Sequence, residues 1–278
     1  MKTISVLMSV YKSEKGIYLD RALKSIWDDQ TYKPSQIILV EDGPLTPELY
    51  DVITKWEKRL PDVMCILINE ENVGLTVSLN KGLKKVTSDY IARMDTDDQS
   101  VPKRFELQVD FLNNNPDIDV VGGAIQIVDK SSTPKYIKHT KLKHEEMIKQ
   151  ICWKCPLMHP TVMMRNTMFT DKGLAYDERF RNSQDIALWV DAIMAGCKLA
   201  NLPDVLLNFT EDEDVYRRRG KVRALNEYKS FARAAKNIYG KYSPRRILPV
   251  IRYLFRCMPV GLIKIAYNSK WMKKTFRS

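Results

Sequence analysis

The chain has 278 residues, 44% of them apolar, which is enough to build a folded core. Residues 216–278 hold 18 of the 45 Lys and Arg residues and a single acid, Glu227, so their net charge is +17. Residues 1–215 have a net charge of −6, and the two parts sum to +11 for the whole chain. The uneven charge excludes a uniformly basic protein and predicts a mildly acidic domain, residues 1–215, followed by a basic tail, residues 216–278.

The periodicity of the first hundred residues predicts alternating strands and helices. Strands are predicted over 4–11, 36–41, 63–69 and 90–94, and the residues between them place apolar side chains at helical spacing. This alternation with short connections predicts an α/β fold, a Rossmann-like, mostly parallel sheet with helices on both faces. In such sheets ligands bind outside the carboxyl ends of the strands.

The second half is less regular. We predict a helix over 102–114, a strand over 120–128, a mobile polar segment over 129–143, a short strand over 161–165, a loop over 176–183 and a helix that opens at Asp185. The dipeptide Gly122-Gly123 would allow a sugar or another backbone to approach the strand closely.

The cysteines indicate the compartment. Their number, five, is odd, and the first apolar run stops at Lys12 and alternates like a strand instead of a secretory signal, so we expect a reducing, cytoplasmic setting. Cys152 and Cys155 have the spacing of a zinc or redox pair, and His159 follows. No second such pair completes four ligands, so we interpret them as two semi-buried thiols.

Polar side chains follow each of the first four predicted strands, and we expect them to face one crevice: Ser9, Tyr11, Glu41, Asp42, Asn72, Asp95, Asp97 and Asp98. The last three are carboxylates within four residues. They repel one another unless a cation lies among them, and Mg²⁺ or Mn²⁺ prefers such oxygen ligands. A solvated turn that caps the next helix is the alternative. The convergence of polar strand ends favours the metal site.

An ordered set of motifs gives the chain a family resemblance. These are SVYK at 9–12, VEDGP at 40–44, NVGLTVSLNKG at 72–82, RMDTDD at 93–98, PKRFELQ at 102–108, HPTVMMR at 159–165 and YDERFRNSQDIALW at 176–189. Over residues 3–210 the chain resembles the inverting family 2 glycosyltransferases of GT-A fold that build bacterial surface polysaccharides. The resemblance implies a nucleotide-sugar donor, usually linked to UDP, and Mn²⁺ or Mg²⁺ as cofactor. It also divides the domain into a nucleotide-sugar half, about 1–100, and an acceptor half, about 101–215.

The resemblance implies donor-binding roles for several residues. Tyr11, next to Ser9, could pack against uracil. Asp42 could accept the uracil imide hydrogen, and its alternative is to open an Asp-Gly turn. Asn72 and Asn80 belong to the same donor-binding set.

Around the acids, the resemblance assigns Asp95 to the ribose and Asp97 to the metal. Asp98 could contact the donor sugar or cap the following helix. Arg93 could bind phosphate or pack within the sheet, and Arg104 has the same two options. His159 could reach the metal or the diphosphate, or be structural.

Asp185 matches the acidic position that serves as catalytic base in the family. A base is needed because the acceptor hydroxyl must lose a proton as it attacks the anomeric carbon. A first-turn Asp favoured by the helix dipole is the alternative. The chain departs from the family pattern at Gln184, where Glu is usual, and at Leu79, where many members have Arg.

The basic tail contains an amphipathic helix. Ile251, Leu254, Phe255 and Met258 have helical spacing, and Arg252 and Arg256 fall on another face. Charged residues interrupt the apolar stretch 247–268, so we expect the tail to lie on an anionic inner-leaflet surface and not to span the membrane. The alternative is a helix packed on the catalytic domain with its basic face in water. Residues 217–219, three arginines, could contact an acceptor diphosphate.

These expectations describe a hexosyltransferase on the inner face of the cell membrane. It would move Gal or Glc, in preference to GlcNAc, from a UDP-sugar to a saccharide on undecaprenyl diphosphate, with a β-linkage, during O-antigen, capsule or exopolysaccharide assembly. Two alternatives are a nucleic-acid-binding protein and a metal-dependent nucleotidyltransferase. The first explains none of the acids at the strand ends, so we expect no nucleic-acid partner, and the second normally shows a Gly-rich phosphate loop.

Overall fold

A computed structural model describes residues 2–211 and 221–258 of the protein. The strands in these ranges are β1 Ile4–Val10, β2 Gln36–Asp42, β3 Met64–Asn69, β4 Tyr90–Arg93, β5 Gln99–Ser100, β6 Val120–Val128, β7 Pro134–Lys138, β8 Met163–Arg165 and β9 Leu199–Thr210. The helices are α1 Gly16–Ile26, α2 Pro47–Arg59, α3 Leu75–Leu83, α4 Arg104–Asn114, α5 His144–Gln150, α6 Thr167–Thr170, α7 Gln184–Met194, α8 Lys221–Tyr239 and α9 Ile247–Cys257, with short 3₁₀ turns at His159–Thr161 and Pro244–Arg246.

One sheet runs through the described part of the chain in the order β3-β2-β1-β4-β8-β6-β9-β5, and β7 pairs with β6. The first four of these strands are parallel, and β8 enters antiparallel between β4 and β6. Strand order moves outward from β1 to β3 and then returns to β4 on the other side of β1. The carboxyl ends of β1 and β4 therefore meet at a topological switch point, where such sheets bind ligands.

Both faces of the sheet are buried, as the predicted α/β fold requires. Val6 and Met8 of β1 pack in the cluster that includes α1 and α2, whereas Leu7 between them packs in the cluster of α3 and α7. This alternation follows from the two-residue period of a strand. The result confirms the predicted α/β architecture with helices on both faces.

One segment of the second half differs from its prediction, and Gly122-Gly123 follows one of the two alternatives given for it, close approach of another backbone. The segment expected to be mobile contains β7, a strand of five exposed residues that pairs with β6, and α5 begins at His144. The Gly122-Gly123 pair is filled by the protein itself. A Cβ at Gly122 would lie 2.5 Å from Oδ1 of Asn201, and one at Gly123 would lie 2.5 Å from Cδ1 of Leu206. The two glycines thus admit the neighbouring strand β9 and leave no space there for a sugar.

The described part of the basic tail is helical, as predicted, and packs on the domain. Phe231, Ala234 and Ala235 of α8 are fully buried, and both alanines belong to a cluster with Val190 of α7. In the residues described, no helix is long and apolar enough to cross a membrane. The three arginines at 217–219 lie outside the described residues.

Candidate active site

The three acids follow β4 at the switch point. Ligand oxygens of Asp95, Asp97 and Asp98 lie within 4.8 Å of one another. The end of β9 braces this turn, because the Thr210 amide donates to Oδ1 of Asp98 at 3.1 Å and its hydroxyl donates to the Asp97 carbonyl at 2.9 Å. Asp98 is almost fully buried, while Asp95 is partly exposed. The turn thus presents carboxylates towards the crevice from a rigid support.

This cluster suits a divalent cation. Burial and the neighbouring charges of Asp95 and Asp97 raise the pKa of Asp98 well above its usual range. Oδ2 of Asp98 is buried and has no hydrogen-bond partner in the described part of the chain. An all-oxygen donor set with mutual repulsion and an unsatisfied buried oxygen is what Mg²⁺ or Mn²⁺ would complete. His159 is not a member of this cluster in the residues described.

Two buried arginines support the acid cluster from the protein interior. Arg93 is 2% exposed and forms an ion pair with Asp95. Arg104 is fully buried and donates to the Arg93 carbonyl at 2.7 Å, to the Ser100 hydroxyl at 3.0 Å and to Gln108 at 3.1 Å. Arg104 therefore fixes the end of β4 and has no access to a ligand. Arg93 orients Asp95 from inside the protein.

Asp42 holds the turn between β3 and α3. Its carboxylate accepts hydrogen bonds from the backbone amides of Val73 at 2.9 Å and Gly74 at 3.0 Å, and from the Asn69 side chain at 3.3 Å. Asn72 donates to the Asp42 carbonyl at 3.2 Å. Asp42 and Asn72 thus fix the turn that leads from β3 into α3. From the sequence, the alternative for Asp42 was an Asp-Gly turn. Its hydrogen bonds from Val73 and Gly74, about thirty residues downstream, have no local sequence signal.

The remaining predicted donor-side residues have different environments. Ser9 is partly buried at the end of β1, and Tyr11 is 40% exposed beyond it, so its ring is open to solvent for stacking. Asn80 exchanges two hydrogen bonds with the backbone of Tyr176, of 2.8 and 2.9 Å. Leu79, next to it, is fully buried against the sheet, which explains why an apolar residue occupies this position.

Asp185 lies in the first turn of α7, partly buried. Ser183, the residue before this helix, has a left-handed backbone with φ of 64°, which turns the chain into α7. Burial raises the pKa of Asp185, while hydrogen bonds to it, including one from the Cys155 thiol at 3.5 Å, oppose the rise. Cys152 is fully buried and Cys155 is partly buried, and both are free of disulfide bonds within the described residues. The raised pKa suits a carboxylate that accepts a proton.

The buried Tyr176 side chain lies beside His159. Its hydroxyl is 2.8 Å from Nε2 of His159, and burial raises its pKa. Burial and Arg93 lower the pKa of His159 well below its usual range, so its imidazole is neutral. His159, Asp185 and Phe209 line one cavity, and Thr210, next to Phe209 on β9, donates the hydrogen bonds that hold the acid turn. The end of β9 therefore brings the acid cluster next to the cavity of Asp185.

A cavity of about 470 Å³ opens on Asp185 and His159. Sequence reasoning did not assign its other polar lining residues, which come from distant segments: Lys138, Lys154, Cys155, Arg223, Glu227, Arg252 and Arg256. Arg252 and Arg256 had been expected to face membrane or water. Instead they face inward to Glu227, at 3.1 and 2.8 Å, while the apolar face of α9 is exposed.

The model of the family described as Glycosyl transferase family 2 matches residues 5–174. The chain belongs to this family. It is a glycosyltransferase, and the GT-A fold of this class typically uses a divalent metal, in agreement with the acid cluster.

Its relatives include proteins of bacterial polysaccharide synthesis. Amylovoran biosynthesis glycosyltransferase AmsE of Erwinia amylovora is 31% identical over 265 residues, which cover 95% of this chain and 97% of AmsE. An Escherichia coli enzyme named UDP-Gal:alpha-D-GlcNAc-diphosphoundecaprenol beta-1,3-galactosyltransferase is 28% identical over 265 residues, which cover 95% of this chain and 94% of that enzyme.

Solved structures support the fold. S. aureus TarS 1-349 in complex with UDP-GlcNAc aligns with a TM-score of 0.67 at 18% identity, covering 91% of this chain and 72% of that one. The mannosyltransferase PcManGT of Pyrobaculum calidifontis, in complex with GDP-Man and Mn²⁺, aligns with a TM-score of 0.63 at 16% identity, covering 95% of this chain and 73% of that one. The sheet and its flanking helices are thus of GT-A type.

Proposed function

We propose that the protein is a metal-dependent, inverting glycosyltransferase that moves a hexose from a UDP-sugar to a lipid-linked saccharide in bacterial polysaccharide assembly. The observation that carries the proposal is an acid cluster, suited to a cation and a nucleotide diphosphate, that β9 holds next to the cavity of a separate, partly buried carboxylate, Asp185. Transfer with inversion needs one group that stabilises the departing nucleotide diphosphate and a separate base that takes the proton of the acceptor hydroxyl.

Asp185 acts as the base. As the acceptor hydroxyl oxygen bonds to the anomeric carbon, its proton moves to the Asp185 carboxylate, and the bond from that carbon to the UDP oxygen breaks. Burial favours this step because a carboxylate with a raised pKa binds the proton more readily. Attack from the face opposite UDP converts an α-linked donor into a β-linked product.

The donor lies along the switch point between β1 and β4. Asp97, with Asp95 and Asp98, would hold Mn²⁺ or Mg²⁺, which when bound neutralises the diphosphate and stabilises the departing UDP. Asp95 receives the ribose, and the exposed ring of Tyr11 stacks on uracil beside Ser9. The turn that Asp42 and Asn72 hold closes the nucleotide side.

The relatives support the choice of substrates. The E. coli relative is named for UDP-Gal and a GlcNAc-diphosphoundecaprenol acceptor. We propose Gal or Glc as the transferred sugar and a saccharide on undecaprenyl diphosphate as the acceptor.

We also propose that the tail binds the inner face of the cell membrane. Ile247, Ile251 and Leu254 of α9 are 55, 56 and 60% exposed and lie on one side of the helix. Arg246 and Lys241, exposed near its start, would face anionic head groups. An apolar face rimmed by bases is what an interfacial helix presents.

The proposal is tested with purified full-length protein, Mn²⁺ and a panel of UDP- and GDP-sugars. We expect UDP to raise the thermal unfolding midpoint only with Mn²⁺, and UDP-Gal or UDP-Glc to be consumed when a GlcNAc-α-diphosphate lipid is added. Stabilisation by duplex DNA, and none by UDP with Mn²⁺, would refute the proposal. The product anomer is read by NMR, and an α-linkage would refute inversion.

A further inference from the structure

The cavity beside Asp185 is strongly cationic. Among the described residues, five bases line it, namely Lys138, Lys154, Arg223, Arg252 and Arg256, against two carboxylates, Asp185 and Glu227. Its volume of about 470 Å³ is that of a small-molecule site. An excess of cations around a pocket attracts an anionic ligand.

Glu227 cannot neutralise the arginines that surround it. It is buried and accepts one hydrogen bond from Arg252 at 3.1 Å and one from Arg256 at 2.8 Å, and Nε of Arg223 lies 3.6 Å away. Nε of Arg252 is buried and has no hydrogen-bond partner among the described residues. Three guanidinium groups thus gather around Glu227, and within the described part of the chain the Arg252 Nε donor is left for a ligand.

The position of the cavity identifies which substrate brings the anion. The donor's diphosphate belongs with the acid cluster after β4, because its charge requires the cation held there. Asp185 must touch the acceptor hydroxyl, and the arginines share its cavity. The anion is therefore part of the acceptor.

The same helix connects this cavity with the exposed apolar face. Arg252 and Arg256 point inward from α9, while Ile251 and Leu254 point outward. A lipid-linked acceptor at a membrane surface would thus bring its head group next to the two arginines. We propose that Arg223, Arg252 and Arg256 form the subsite for the acceptor's diphosphate, an inference that rests on the proposed function.

The test compares two acceptors that differ only in the anion, GlcNAc-α-diphosphate with a short alkyl chain and the GlcNAc α-alkyl glycoside without phosphate. For the wild-type protein we expect a KM about tenfold or more lower for the diphosphate, as charge-assisted hydrogen bonds would give. This measurement needs no variant. Equal KM values would overturn the inference.

The variants Arg252→Gln and Arg256→Gln are expected to raise the KM for the diphosphate acceptor about ten- to hundredfold and to leave the KM for the phosphate-free acceptor unchanged. Lys236→Gln, which removes an exposed base from the same helical region, is the matched control. Arg252→Lys keeps the charge and should recover part of the affinity. Glu227→Gln removes the competing carboxylate, so it should lower the diphosphate KM. If these changes leave the diphosphate KM as in the wild type, the inference is overturned.

UDP affinity with Mn²⁺, measured by calorimetry, separates the two sources of diphosphate. Arg252→Gln should leave it unchanged, and a weakened UDP affinity would assign the arginines to the donor and overturn the inference. A wild-type protein that binds no UDP would refute the proposed function itself. A wild-type protein that transfers sugar, but whose acceptor preference ignores Arg252 and Arg256, would refute the subsite alone.

Discussion

Replacing Asp185 with Asn is the sharpest test of the reaction mechanism. Asn keeps the size of the side chain beside the Cys155 thiol, 3.5 Å away, but it cannot take up the acceptor's proton. Loss of a general base costs about 10²- to 10⁴-fold in rate, or roughly 2.7–5.5 kcal/mol of transition-state stabilisation. UDP affinity should be unchanged because Asp185 lies outside the acid cluster.

The assay follows UDP release at saturating donor and acceptor, with UDP affinity measured separately by calorimetry. A rate within a few-fold of wild type would show that Asp185 is not the base. A large loss of UDP affinity would show that Asp185 belongs to the donor site instead. Only a lost rate with intact UDP binding supports the mechanism.

The pKa of Asp185 adds a pH signature. Its folded pKa is raised, chiefly by burial, so the ionised base is lost as the pH falls through a value above the ordinary Asp value of about 3.9. Because the folded pKa of Asp185 is higher than its unfolded pKa, the folded state gains stability as the pH falls from the folded pKa towards the unfolded pKa. At neutral pH the buried charge is destabilising, and Asp185→Asn should unfold at a temperature no lower than wild type.

Cys155 should tune that pH profile. Its hydrogen bond lowers the pKa of Asp185, so Cys155→Ala is expected to move the acidic limb of kcat to higher pH. Cys152→Ala, a buried thiol in the cluster with Val190, is the control and should leave the limb in place. An unmoved limb in Cys155→Ala would refute the coupling.

Three further predictions concern other parts of the molecule. Asp97→Asn should remove the rise in thermal midpoint that Mn²⁺ with UDP gives the wild-type protein, and a full rise would exclude Asp97 as a ligand. Asp42→Ala should destabilise the fold by about 1–3 kcal/mol in urea unfolding, because the partly buried amides of Val73 and Gly74 lose their charged acceptor; unchanged stability would contradict this. Leu254→Asp should reduce binding to anionic vesicles at least tenfold, whereas Ile17→Asp, at an apolar position 68% exposed on α1, should not. Equal binding by both variants would remove the membrane role of α9.

The sequence predicted the nucleotide half well because that half is built from local patterns. Apolar runs of strand length, each followed by polar residues, occur four times before residue 100, and the three intervals between them have helical spacing. The acid cluster after β4 followed directly from this register. Asp185 was predicted as the base only through the family resemblance, because its local sequence is equally typical of an Asp in the first turn of a helix.

The acceptor side depended on contacts that no local pattern encodes. The fully exposed β7 has no apolar face, and Pro203 and Asp204 interrupt β9 where its register with β6 shifts, so neither reads as a strand. Helical spacing separated the arginines of α9 from its apolar residues but could not say which face turns inward. That choice is made by Glu227, a single buried acid on another helix.

The bonds between α3 and the loop before α7 have a consequence for how such an enzyme can diversify. Asn80 bonds the backbone of Tyr176, and the Thr76 hydroxyl donates to the Phe180 carbonyl at 2.8 Å. Backbone groups are present whatever the side chain, so these anchors survive most substitutions in residues 176–180. The side chains of residues 176–180 can therefore change during evolution while the loop keeps its position over the nucleotide half.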